Sequence, residues 1–138
     1  MILFCDTSAL VKLYVQEGSS AAVQALAESA SAVAVCRIAW AETMAALARR
    51  SRENPADAAA IEAVRTRMRN DWQRYAIVEV TQQLVELAGD YADTFALRSY
   101  DSIQLAAARI LQVATTEELQ FACFDARLKK AANVLGML

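Results

Sequence analysis

Four carboxylates in this 138-residue chain stand alone in uncharged surroundings. Asp6 is the only charge in MILFCDTSALV, Glu42 in IAWAETMAALA, Asp101 in SYDSIQLAAA and Asp125 in LQFACFDA. A lone carboxylate in a segment that favours burial is costly unless something pairs with it. Four of them point to one shared partner, and a divalent cation is the simplest. The chain has no histidine, which removes Ser-His-Asp and Cys-His catalysis and imidazole-held zinc. A metal must then be held by oxygen or by isolated thiols, and a carboxylate set favours Mg²⁺ or Mn²⁺. These residues read as the site of a metal-dependent enzyme.

Each acid also has an ordinary explanation. Asp6 and Asp125 each fall between a strand and a helix, where Asp is a common N-cap. Asp101 in a first helical turn is favoured by the helix dipole. Glu42 is harder to explain away. Its helical neighbours Ile38, Ala39, Ala45 and Ala46 are apolar, so it needs a partner such as Arg49, a backbone amide or a metal.

The elements that would position these acids alternate in type. Short apolar runs at 2–5, 32–36, 76–80 and 121–124 read as strands. Helices are expected at 8–16, 19–30, 38–52, 100–113 and 126–134. Two more lie between: one opening at Asn54-Pro55 with the stripe Ile61, Val64, Met68 and Trp72, and one following Thr81 with Leu84, Leu87, Ala88, Tyr91 and Phe95. Alternation of this kind implies a parallel sheet with helices on both faces, whose ligands bind at the carboxyl ends of the strands. Asp6, Asp125 and Glu42 fall on that edge.

The bulk numbers agree with a single domain spanning 1–138. The chain is 57% hydrophobic, much of it alanine, with three glycines and one proline. No segment approaches the roughly 20 apolar residues of a transmembrane helix, and the N-terminus has no signal-peptide pattern, so no membrane role and a cytoplasmic location are expected. Cys5, Cys36 and Cys123 lack metal-site spacing and read as buried thiols. Net charge is −2, yet residues 49–74 carry seven arginines against four acids. That arm is a candidate grip for phosphates, or a solvated helix face.

The segments FCDTSALVKLYVQE, IAWAETMAALARR, LRSYDSIQLAAA and FACFDARLKKAA, in this order, resemble a PIN-domain ribonuclease of the VapC toxin type. The resemblance runs over about residues 2–136. It implies a three-layer α/β/α fold with a central parallel sheet and Mg²⁺- or Mn²⁺-dependent cleavage of RNA. It places Asp6, Glu42, Asp101 and Asp125 as catalytic metal ligands. It also implies a homodimer and a cognate VapB-type antitoxin. Cys123 departs from the pattern, since members often carry a hydroxyl residue there, and the end at Leu138 would clip a final short strand.

Within that resemblance, Asp6, Glu42 and Asp101 would hold the principal metal and Asp125 would complete the cage or orient water. Thr7 or Ser8 would bond a carboxylate or phosphate, or cap a helix. Arg49, Arg50 and Arg52 would grip RNA or antitoxin. The apolar residues Leu10, Leu13, Tyr14, Trp40 and Met44 would seat an antitoxin helix or form core. A receiver-like signalling module needs paired acids after its first strand, and a haloacid-dehalogenase-type phosphatase needs Asp-x-Asp; the chain has Asp6-Thr7-Ser8. A non-catalytic PIN-like interaction module would be favoured by a missing acid, and none is missing.

Overall fold

β1 (Ile2–Cys5) is buried at every residue, so it must be covered on both faces. The computed structural model, which describes residues 1–138, shows how. β1 pairs in parallel with β2 (Ala32–Cys36) on one side and with β4 (Leu119–Ala122) on the other. β3 (Ala76–Val78) adds in parallel outside β2, giving the order β3-β2-β1-β4.

Strand residues alternate between two cores. Leu3 and Cys5 of β1 and Val35 of β2 face one cluster with Leu10, Val23, Ala39 and Met68. Ile2, Phe4, Ala34, Cys36 and Phe121 face the other, with Leu84, Leu105 and Leu128. The first layer is therefore α1 (Thr7–Lys12), α2 (Ser20–Ser29), α3 (Ala39–Glu53) and α4 (Ala58–Asp71). The second is α5 (Gln82–Phe95), α6 (Ser99–Ala114) and α7 (Ala126–Val134). Alanine lets the layers approach closely: Ala106, Ala107 and Ala108 of α6 are fully buried. The expected three-layer α/β/α architecture is present.

Local departures have local causes. α1 stops at Lys12 rather than at 16, because Leu13 and Tyr14 turn back onto the carbonyls of Leu10 and Val11. Lys12 then pairs with Glu17 at 3.6 Å across the turn. β4 lies two residues earlier than expected. Its register aligns Ile2 with Leu119 and Cys5 with Ala122, so Phe124 leaves the sheet and is exposed. β3 ends at Val78, and Glu79 pairs instead with Arg37. Asn54 does not cap a backbone amide; its side chain donates to Asp57 at 3.0 Å, and Pro55–Asp57 form a 3₁₀ turn ahead of α4.

Of the apolar set Leu10, Leu13, Tyr14, Trp40 and Met44, Leu10 and Tyr14 are buried core and the other three are half-buried against it. The set packs against Val64, Met68 and Trp72 of the chain's own α4 side, with Trp40 and Trp72 edge to face at 5.1 Å. The outer edge of β4 meets the C-terminal tail, where the Phe121 amide donates to the Met137 carbonyl at 2.7 Å. No helix is long and apolar enough to cross a membrane.

Candidate active site

Because every strand runs the same way, every strand ends on one edge of the sheet. β1 ends in Asp6, which is only 5% exposed. β4 ends just before Asp125, which caps α7. Glu42 lies in the first turn of α3, the helix that follows β2, and Asp101 in the first turn of α6.

A common pattern governs three of these acids: one carboxylate oxygen is pinned and the other is left free. Asp6 Oδ1 accepts from the Ala9 amide at 2.9 Å and from the Ser8 hydroxyl at 2.7 Å, while Oδ2 has no protein donor. Glu42 Oε1 accepts from Thr7 Oγ1 and from Gln104 Nε2, both at 2.8 Å, leaving Oε2. Asp125 Oδ2 accepts from the Leu128 amide at 2.9 Å, leaving Oδ1. The fourth, Asp101, has only a long contact, 3.8 Å to Arg98 Nε. Capping and ligand chemistry are thus not competing explanations, since each cap spends one oxygen and presents the other.

Asp6, Glu42 and Asp101 line a single cleft of about 380 Å³ with Thr7, Ser8, Lys12 and Gln104. Asp101 also forms part of the wall of an adjoining cleft of about 590 Å³, which holds Asp125. The structure therefore brings three of the four acids together and sets Asp125 next door, on the far side of Asp101. No three of them close into a ready-made cage.

Electrostatics at the site are those of crowded anions. Burial pushes the Asp6 carboxyl up from 3.8 to about 6; the Ser8 and Ala9 hydrogen bonds work against this, and the charges of Asp101 and Glu42 add to it. Asp101 is also raised, first by burial and then by Asp125, with Arg98 opposing. A divalent cation would relieve this repulsion. The free oxygens supply the hard donors that Mg²⁺ or Mn²⁺ prefers, so the residues fit such an ion. Thiols do not compete. Burial, with the nearby charge of Asp6, pushes both Cys5 and Cys123 up to about 12, so neither is a thiolate.

Sequence reasoning missed Gln104. It is 2% exposed, it holds Glu42 and contacts Thr7 Oγ1 at 3.3 Å, and its own Oε1 has no partner. Turning the amide over would set Oε1 against the Glu42 carboxylate, so the donor orientation is the favourable one. The available signal was its place three residues after Asp101, on the same helix face, in an otherwise apolar run.

Comparison with known proteins places the chain in a class. The PIN domain family model matches residues 3–134, and the chain belongs to the PIN-domain family. Among curated proteins it is 31% identical over 135 residues to ribonucleases VapC45 and VapC49 of Mycobacterium tuberculosis strains. Those alignments cover 98% of this chain and 92% of each relative. Solved structures share the fold. M. tuberculosis VapC20, described as a sarcin-ricin loop cleaving toxin, matches with a TM-score of 0.67 at 19% identity over 94% of each chain. A toxin–antitoxin complex from Klebsiella pneumoniae matches at 0.64 and 21% identity, covering 91% of this chain and 87% of that one.

Proposed function

We propose that this PIN domain is a VapC-type ribonuclease toxin that hydrolyses RNA phosphodiester bonds with Mg²⁺ or Mn²⁺ at Asp6, Glu42 and Asp101. The observation that carries the reading is the convergence of these three acids, from three separate elements, on one cleft at the carboxyl edge of the sheet. Full-length similarity to VapC ribonucleases supports the chemistry. Similarity to toxins supports a cognate VapB-type antitoxin as partner. A homodimer and action in the cytoplasm complete the proposal.

The bound cation would supply Lewis-acid polarisation of the phosphate and a water of lowered pKa. The protein's own part is positional. Thr7 and Gln104 aim Glu42, and Ser8 with the Ala9 amide aims Asp6. Asp125 offers its free oxygen from the neighbouring cleft as an acceptor that orients the attacking water.

The test is incubation of the purified protein with labelled total tRNA and Mg²⁺, with and without chelator, beside Asp6→Asn. Cleavage by the wild type alone, and only without chelator, is expected. Undiminished cleavage by folded Asp6→Asn would overturn the assignment.

A further inference from the structure

The cleft beside the acid site has the opposite character. Of about 590 Å³, it is the roomier of the two, and its walls carry Arg98, Arg127 and Lys130 around the single face that Asp101 shares with the acid cleft. None of these cations makes a close hydrogen bond to a carboxylate. Arg98 reaches only to 3.8 Å from Asp101, Arg127 donates to the Ala96 carbonyl at 2.9 Å, and Lys130 makes no ion pair. In the arginine-rich arm, Arg49, Arg50 and Arg65 each sit on a glutamate at 2.9 to 3.3 Å, Arg69 and Arg74 lie 3.8 Å from carboxylates, and Arg52 and Arg67 make no ion pair.

We infer that Arg98, Arg127 and Lys130 form a phosphate subsite that holds the RNA phosphate next to the scissile one. This rests on the ribonuclease reading of the acid cleft. A strand crossing Asp101 sets one phosphate against the acids and its neighbour against the cations. Arg127 is prepared for the task. Its bond to Ala96, a residue in the left-handed region at φ 54°, fixes the guanidinium while using one of its five donors. Lys130 contributes a mobile point charge one helical turn along the same face of α7. The acids Asp101 and Asp125 on the same walls leave the cleft one positive charge in excess among its charged groups. That charge attracts a phosphate, and the acids stop it trapping one.

Arg127 braces a turn, so the decisive variants are Arg98→Gln, whose side chain makes only the long ion pair to Asp101, and Lys130→Gln, whose side chain makes no ion pair. Each is placed in full-length Asp6→Asn protein, and binding of a fluorescein-labelled 12-nucleotide RNA is followed across salt concentrations. The plot of log affinity against log salt is expected to lose about 0.7 of slope per cation removed. Lys130→Arg restores it. Unchanged slopes in both variants overturn the subsite. So does an unchanged RNA slope with lost affinity for an acidic peptide, which makes the cleft a protein-docking surface. Failure of the underlying reading looks different: the parent with Asp6 intact then cleaves no RNA in Mg²⁺, whatever the state of the cations.

Discussion

Asp6 is held against its own ionisation, and the consequence is measurable without any substrate. The native carboxyl keeps its proton to about pH 6, whereas an unfolded chain releases it near 3.8. The folded state binds more protons over that interval, so stability falls as pH rises from about 4 to about 6 and stays lower above it. Asp6→Asn keeps both acceptor bonds and removes the charge. Denaturant titration of metal-free protein at pH 7 should find the variant more stable, by up to about 3 kcal/mol, although it cleaves nothing. Identical pH–stability curves for the two proteins would contradict the burial account. Gln104 is tested through Glu42. Gln104→Ala leaves the carboxylate on Thr7 alone, and the Mg²⁺ needed for half-maximal cleavage should rise about 10-fold or more. The sequence exposed the four acids because lone charges are conspicuous among apolar neighbours. Gln104 was hidden because a neutral amide in a helix draws attention only once its partner, 62 positions away, is known.

Caps decide how the elements bring their acids to the edge. Asp125 is both the cap of α7 and a candidate ligand, and two substitutions separate the roles. Asp125→Ala should cost about 1 kcal/mol of stability, and Asp125→Ser, which keeps a capping oxygen, much less. Equal loss of cleavage in both assigns the function to the carboxylate, and retained cleavage in the serine variant leaves only the cap. The pair joining Arg50 of α3 to Glu17 in the turn before α2 is partly exposed, and Arg50→Ala should change stability by about 0.2–1 kcal/mol in thermal melts. Element type was legible along the chain because three of the four strands are short unbroken apolar runs, β4 is interrupted only by Gln120, and the helices carry apolar stripes. Boundaries were less so where tertiary pairing sets them. Phe124 looks like strand by composition, yet the ladder with β1 ends at Ala122. Asn54 looks like a cap, yet it bonds Asp57.

At the scale of the molecule, the acid edge is a cluster of like charges that a bound metal would relieve. Mg²⁺ should raise the melting temperature of the wild type, by an amount corresponding to about 2.7 kcal/mol at a hundredfold excess over the dissociation constant. Asp6→Asn should show a smaller rise in the same melts, and an equal rise would place the ion elsewhere. β1 sits between β2 and β4, although along the chain β1 is the first of the four strands and β4 the fourth. Contacts of such long sequence separation form late and slowly. Asp6 therefore lacks one of the strands beside β1, and Asp125 has no helix to cap, until β4 and α7 have been made and have docked. The cleft is assembled only once β4 and α7 have docked, so a nascent chain that stops short of Leu119 carries Asp6, Glu42 and Asp101 without an assembled site.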